Sequence, residues 1–280
     1  MNPGIPSWLG MLGLALPLLA SASNHCSVLT TLPATLSDPG VYCLADDLQL
    51  AGSSGTAVTI AADSVTLDLD GHALRSKAGA NAATIGVSVV GHRYFNIVNG
   101  TLAGFAQAVY VRSNGDTPAK GGLLAKLEVQ RSFFNGLSIV CDGCVVRDNL
   151  VTDTVTPSTL SGYYATAIGV EGSGNLVSGN RVFNTASASG QSAFAFALGT
   201  SGSTVTNNFA ANTIAGAANS AYGFLMSGVD DLLLANQAQN LSNCYWLQEQ
   251  HMKYRDNLSG GCGTAFGGAL QAATDLGGNN

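Results

Sequence analysis

A group of charged residues near the C-terminal end has the types that acid–base chemistry requires. Asp230 and Asp231 stand side by side, and Glu249 and His251 follow further along the chain. A carboxylate pair beside a histidine can exchange protons with a substrate, as glycoside hydrolysis requires. The structural alternative is a solvated turn held by surface ion pairs, which contribute little stability. Both interpretations require that separate segments bring these residues together.

A second set of residues has the types that bind a sugar chain. It combines two aromatic side chains with charged and polar ones: Tyr110, Arg112, Glu171, Trp246 and Gln248. Aromatic rings can stack on sugar rings, and the polar groups can fix their orientation. A calcium site takes about 6–8 oxygen ligands, and no Asp/Glu cluster in the sequence supplies them. We therefore expect neither a metal nor another cofactor.

The six cysteines form a third set. Spacing alone does not fix their pairing, but proximity favours Cys26–Cys43, Cys141–Cys144 and Cys244–Cys262. The C-x-x-C at 141–144 has the spacing of a redox or metal motif. No second C-x-x-C completes a zinc site, and no thioredoxin-like βαβ pattern surrounds this one, so we interpret it as a structural bridge across a turn.

The composition indicates what kind of scaffold positions these residues. The chain has 280 residues, of which 46% are hydrophobic, only 10% are charged and 35 are glycine. Few charges with many small and turn-forming residues favour short strands and frequent turns over long helices. The net charge is −6 with only 11 basic residues. This balance argues against nucleic acid or an anionic membrane surface as a partner.

The first 22 residues differ from the rest. Residues 8–20 are apolar and end in an A-x-A cleavage signal at 20–22. We interpret 1–22 as a secretory signal peptide, which predicts a secreted or periplasmic protein. The alternative, a buried N-terminal helix, is disfavoured by Pro3, Pro6 and Pro17. No other stretch approaches the ~20 apolar residues that a membrane span needs.

Recurring asparagines reveal a repeat along most of the chain. The series is Asn99, Asn149, Asn180, Asn208, Asn236 and Asn257, and its last three spacings are 28, 28 and 21 residues. The residues twelve and ten positions before each one are apolar or aromatic, whereas the residue between them is mostly small. This alternation predicts a strand at a constant distance from each asparagine. We expect Asp70 to begin the series and Ser132 to take the position in one coil.

A unit of this size cannot bury its apolar side alone, so stacked units must share one core. The sequence therefore predicts an all-β parallel β-helix, a solenoid of about eight coils, over residues 56–258. An N-terminal cap is predicted at 23–55 and a Gly-rich tail at 259–280, with insertions at 114–122 and 154–164 projecting as loops. The asparagine amides would stack as an internal ladder, because each can both donate and accept a hydrogen bond.

Two repeat units, GLSIVCDGCVVRDNLVTDT at 136–154 and AIGVEGSGNLVSGNRVFNT at 167–185, resemble right-handed parallel β-helix proteins of the pectin-lyase-like class. The chain's flanks are similar to secreted bacterial members. The resemblance implies a single-stranded right-handed helix. It also implies that polysaccharide lies along the sheet formed by the first strand of each coil, where Tyr110, Arg112, Glu171, Trp246 and Gln248 are expected.

The resemblance bears on the charged group only in part. Polygalacturonase-like members have an Asp-Asp pair, then Gly-His-Gly and Arg-x-Lys. Asp230-Asp231 matches the first element, but His251 lacks flanking glycines, the Lys253 to Arg255 order is reversed, and an earlier Asn-Thr-Asp element is missing.

Two functions stay open. The first is a protein that binds or acts on polysaccharide and, if it is an enzyme, is a polysaccharide lyase or a glycoside hydrolase. The second is a non-catalytic structural or surface-interaction solenoid. We expect a monomer in either case.

Overall fold

The structure is a computed structural model, and it describes residues 1, 26–79, 83–160, 162–188, 190–216, 220–248 and 251–280. The predicted signal peptide and the candidate Glu249 therefore lie outside the described residues.

Short β-strands make up almost all of the regular structure. A single 3-10 turn, Leu270–Ala272, accompanies them in the described part of the chain. The strands are β1 (Ser27–Leu29), β2 (Ala34–Leu36), β3 (Gly40–Leu44), β4 (Leu48–Leu50), β5 (Ser54–Ile60), β6 (Val65–Asp68), β7 (Ala73–Ser76), β8 (Ala83–Val90), β9 (Asn96–Ala103), β10 (Gln107–Arg112), β11 (Leu123–Gln130), β12 (Asn135–Val140), β13 (Val145–Arg147), β14 (Leu150–Thr152), β15 (Val155–Thr156), β16 (Ala165–Ser173), β17 (Leu176–Ser178), β18 (Arg181–Phe183), β19 (Ala186–Ser187), β20 (Ala193–Ser201), β21 (Thr204–Thr206), β22 (Phe209–Ala211), β23 (Ala221–Met226), β24 (Leu232–Leu234), β25 (Gln237–Gln239), β26 (Asn243–Leu247), β27 (Lys253–Arg255), β28 (Leu258–Gly260), β29 (Thr264–Gly268) and β30 (Thr274–Asp275).

All strand pairs between coils are parallel, and all but the separate pair β15–β19 form three stacked faces. The first face is a ten-stranded sheet in the order β2-β5-β8-β10-β12-β16-β20-β23-β26-β29. The second face runs β1-β3-β6-β9-β11-β13-β17-β21-β24-β27-β30. The third face runs β4-β7-β9-β11-β14-β18-β22-β25-β28, and the long strands β9 and β11 belong to both the second and the third face. The predicted parallel β-solenoid is therefore confirmed.

The apolar positions counted from the asparagines form the core. On the first face the residues twelve positions before each one pair in register, as Leu137 with Ile168 and Ile168 with Phe196. The side chains in these inward rows are almost completely buried. Late in the row they become four stacked rings, with centroids 4.6 to 5.2 Å apart: Phe196, Phe224, Tyr245 and Phe266. We call these four rings the inner stack.

A ladder of asparagines lies inside the turn between the second and third faces. Its five central members are at most 1% exposed: Asn149, Asn180, Asn208, Asn236 and Asn257. Each of the first four donates from Nδ2 to Oδ1 of the next at 2.9 to 3.0 Å, and that oxygen also accepts the donor residue's backbone N–H. The ladder continues to Asn279, which accepts from Asn257. The predicted structural role of these residues is thus confirmed.

The expected early members of the ladder are wrong. Because β9 and β11 continue unbroken through this turn, Gly100 and Leu127 hold the position, and the Leu127 N–H donates to Asn149 Oδ1 at 3.0 Å. Asn99 is one residue out of register and donates to the Asp68 carboxylate instead. Asp70 is an exposed turn residue with φ +49°, and it contributes no amide.

Ser132 does not join the ladder either. It lies in a separate buried column of hydroxyls with Thr154, Thr185 and Thr213, two residues past the ends of successive third-face strands.

Three disulfides join Cys26–Cys43, Cys141–Cys144 and Cys244–Cys262, with Cα atoms 5.8 to 5.9 Å apart. The predicted pairing and the bridging role of the C-x-x-C are confirmed. Among the described residues, no helix has the length and apolarity to cross a membrane.

The two insertions differ. The segment 114–122 partly joins the stack, since Lys120 pairs with Arg93 and Asp142 on neighbouring coils and Ala119 is buried. The segment 154–164 leads from the third face to the first and brings Tyr163 and Tyr164 to the surface, where each is about half exposed.

Candidate functional site

The register of the first face positions the residues expected to bind sugar. Tyr110 and Trp246 occupy one outward row, together with Ser88, Ser138, Gly169, Ala197 and Leu225. Arg112, Glu171 and Gln248 each lie two residues further along the chain than a member of this row, and Gln248 directly follows the end of β26. All five candidates therefore lie on the same face, as alternation along a strand requires.

Arg112 is held in place by its own coil and by the next. Its guanidinium lies over the Tyr110 ring, with Cζ 5.1 Å from the centroid, and Nη2 donates to Ser138 Oγ at 3.1 Å. Val140 pairs with Glu171, so one coil separates the two charged residues. No ion pair joins Arg112 and Glu171 in the described structure.

A line of aromatic rings crosses the same face. Ring centroids are 5.7 Å apart for Tyr164 and Phe194, 5.4 Å for Phe194 and Tyr222, and 5.9 Å for Tyr222 and Trp246. Phe194, Tyr222 and Trp246 are half-buried, so one side of each ring packs and the other faces solvent. We call these four residues the aromatic row.

The aromatic row begins at a cleft of about 280 Å³. Phe134 and Tyr163 stack at 5.3 Å on one side, and Asn135 donates to Gln107 at 3.2 Å within it. The lining consists of uncharged residues: Gln107, Phe134, Asn135, Gly162, Tyr163, Tyr164 and Thr166. The Thr156 hydroxyl donates to the Tyr164 carbonyl at 2.9 Å and so fixes the loop that forms the cleft wall. We call this feature the aromatic cleft.

The sequence reasoning missed most of these residues, although a signal was present. Phe194 and Tyr222 stand fourteen positions before their ladder asparagines, two residues earlier than the apolar positions at twelve and ten. Tyr163 and Tyr164 lie in an insertion, which has no counterpart in the other coils.

The charged group at the C-terminal end is only partly assembled. His251 Nδ1 lies 3.7 Å from Asp230 Oδ1, as stacking of adjacent coils predicts, but the side chains are 73% and 67% exposed. Both residues have left-handed backbone angles, with φ of +65° and +57°. Gly174 and Gly202 take the equivalent turn position two coils and one coil before Asp230. Asp and His tolerate this conformation better than most residues, which accounts for their presence in the turn.

Asp231 points away from that surface. Its side chain is buried, and its two oxygens accept hydrogen bonds from the Ser203 N–H at 2.7 Å and the Thr200 hydroxyl at 2.8 Å. Burial raises the pKa of this carboxyl above its ordinary value, although the two hydrogen bonds oppose the shift. A second inner column, one residue per coil, consists of Cys144, Asn175, Ser203 and Asp231. Each of these side chains accepts a hydrogen bond from a backbone N–H of the preceding coil. The two adjacent carboxylates therefore do not form a pair at one surface.

No group of three or more potential metal-ligating side chains occurs within the described residues. The charged chemistry that the described residues present on the first face consists of Arg112 and Glu171, two coils apart with Val140 between them.

Known proteins resemble this chain in structure but not in sequence. No family model matches, and no curated protein is significantly similar. The Dettilon tailspike protein superposes with a TM-score of 0.55 at 16% identity, over 91% of this chain and 53% of the tailspike. An alginate lyase from Paenibacillus gives 0.51 at 15% identity, over 88% of this chain and 99% of the lyase. The chain spans about half the length of the tailspike protein.

Together with the parallel register, these likenesses show the fold. The chain is an all-β, right-handed parallel β-helix, the fold that its resemblance to pectin-lyase-like proteins implies.

Proposed function

We propose that this protein binds polysaccharide along its first face, with one end of the sugar chain in the aromatic cleft. The observation that carries the proposal is the aromatic row, whose rings follow one another at 5.4 to 5.9 Å across successive coils. Aromatic rings with one free side, accompanied by a few polar groups, are typical of small-molecule and sugar sites. Half-exposed rings lose little further conformational entropy when a ligand packs on them.

Arg112, Glu171 and Gln248 complete the proposed surface at the other side of Tyr110 and Trp246. Arg112 is already oriented by Tyr110 and Ser138, so it can donate to a ligand oxygen without first being ordered. The structural neighbours include an alginate lyase, which acts on a polysaccharide, and this supports the same ligand class here.

Whether binding leads to cleavage rests on other residues. If the protein is an enzyme, Glu171 and Arg112 are the candidate acid–base groups on the first face, and a lyase or a hydrolase is the expected class. Asp230 and His251 are the alternative pair. The three disulfides support an oxidising compartment, and we propose that the protein is secreted or periplasmic.

The test compares glycan-array binding of the wild-type chain with that of two variants. Tyr222→Ala removes the middle of the aromatic row and should reduce the affinity for the best-bound glycan about tenfold. Tyr94→Gly is the control, because Tyr94 is a 63% exposed aromatic on a turn whose φ of +56° suits glycine. Bound polysaccharides are then incubated with the protein, and products are followed by unsaturated-product absorbance and reducing-end release. If no glycan binds, the non-catalytic solenoid is the better description.

A further inference from the structure

A second ring-and-cleft surface lies on the third face, away from the aromatic row. Phe209 projects from β22, and shallow depressions of about 280 Å³ and 220 Å³ lie on either side of it. The larger depression is lined by Arg181, Asn207 and Gln237 besides the ring. Phe183 packs against Phe209, with centroids 5.3 Å apart. We call this surface the Phe209 site.

Arg181 gives this site a positive charge that no neighbour neutralises. Its Cζ lies 5.3 Å from the Phe183 ring centroid, and the residue is exposed. No carboxylate of the described residues comes within 4.0 Å of it, whereas Arg75, Arg147 and Arg255 each have an aspartate partner. The guanidinium is therefore oriented by a ring while its hydrogen-bonding edge stays available.

Two acidic groups close to this site in the fold are already engaged. Asp148 lies beside Gly179, which lines the same depression, but Arg147 binds its carboxylate at 2.6 Å. Glu128 occupies the same outward row as Arg181, two strands away, at roughly 10 Å by the ~4.8 Å strand spacing. Glu128 accepts a hydrogen bond from Gln130 at 2.7 Å.

We propose that the Phe209 site binds an acidic sugar unit, independently of the first face. A guanidinium presents a planar fork that matches a carboxylate or a sulfate with two parallel hydrogen bonds. The Phe209 ring would cover the apolar face of the sugar, and the amides of Asn207 and Gln237 would reach its hydroxyls. The aromatic cleft, with an uncharged lining, has no equivalent group to recognise an anion.

The experiment measures binding of three oligosaccharides of equal length to the full chain by calorimetry. They are an oligouronate, a sulfated oligosaccharide and a neutral one. Arg181→Gln should weaken binding of the acidic ligand about tenfold or more, because a charge-assisted bidentate contact is lost. Phe209→Ala should weaken it as well. Lys253→Gln is the matched control, since it removes one exposed positive charge from β27 on the second face.

The outcomes separate this site from the first face. Preference for either acidic ligand, lost in Arg181→Gln and kept in Tyr222→Ala and Lys253→Gln, supports the proposal, and the acidic ligand that binds identifies the anion. Equal losses in Arg181→Gln and Lys253→Gln would show a general charge effect and overturn it. An unchanged affinity in Arg181→Gln, in a variant with wild-type thermal unfolding, would also overturn it. If no neutral glycan binds, the function proposed for the first face and its aromatic cleft fails, whereas the proposal for the Phe209 site is unaffected.

Discussion

The asparagine ladder and the aromatic row both place one residue on each coil, but on opposite sides of the backbone. Inside, an amide that donates to the next coil and accepts from the one before satisfies its own hydrogen bonds and its neighbours'. Outside, half-buried rings contact one another and leave one side to solvent. The same repeat length thus supports stability on one side and presents a ligand-sized surface on the other. Changes in the two columns should therefore have separable effects.

The largest effect is expected from the ladder. Asn208→Leu removes hydrogen bonds to Val177 and Asn236 and leaves the buried Asn180 donors without their acceptor. Each buried group left unsatisfied costs about 1–3 kcal/mol, so the free energy of unfolding should fall by about 3–5 kcal/mol in urea titrations. Asn207→Gly is the adjacent control, since Asn207 is exposed with φ +55°. Equal losses in the two variants would contradict the ladder's role.

The next effect concerns the outer column. Trp246→Ala should reduce affinity for a neutral glycan about tenfold while the protein stays folded, because it removes the ring that ends the aromatic row. Isothermal titration with Phe209→Ala as the control tests whether the loss is specific to the first face. A similar loss in both variants would merge the two surfaces into one.

The third prediction tests the buried carboxyl beside the turn. Because burial raises the pKa of Asp231, the native state keeps this proton at a pH where the unfolded chain has lost it. Stability should fall as pH rises from the ordinary value of 3.8 through the native pKa. Asp231→Asn should lack this loss, so its free energy of unfolding relative to wild type should rise as pH increases through the window. The measurement is the thermal unfolding temperature of both proteins from pH 3 to 8. If the two curves of unfolding temperature against pH run parallel, the prediction is wrong.

The smallest effect is expected at the exposed turn. Asp230→Gly and His251→Gly replace left-handed residues with the type found at the equivalent position in earlier coils. Stability should change by about 0.5 kcal/mol or less, as for exposed sites generally, and glycan binding should be unchanged. An abolished polysaccharide-cleaving activity in either variant would instead identify this pair as catalytic.

The sequence predicts the inward side of this molecule well. Leu137, Ile168 and Phe196 pair in register because alternation at a constant distance from the asparagines encodes both strand and stacking. Disulfide pairing also follows, since neighbouring coils bring two of the cysteine pairs together and Cys141–Cys144 spans a single turn. The ladder's start does not follow, because whether a coil bends at Asn99 or continues as one long strand depends on how its neighbours pair.

The candidate site is less accessible to sequence reasoning. The sequence predicts that the adjacent residues Asp230 and Asp231 act as a carboxylate pair. In the structure Asp230 has a left-handed backbone angle and an exposed side chain, whereas the side chain of Asp231 is buried. The aromatic row depends on a loop without a repeat counterpart, and only folding brings Tyr164 to Phe194. Outward positions also have weaker sequence patterns than inward ones, because a solvent-exposed position can accommodate almost any side chain.

The inner stack has an optical consequence. Its rings lie within 12° of parallel, and Tyr245, which stands between two phenylalanines, is completely buried. Such an arrangement should give a strong near-ultraviolet circular dichroism band for Tyr245. Coils of a solenoid contact only their neighbours, so unwinding can start at one end and spread. Loss of this band before the far-ultraviolet signal would show that the C-terminal coils unwind first.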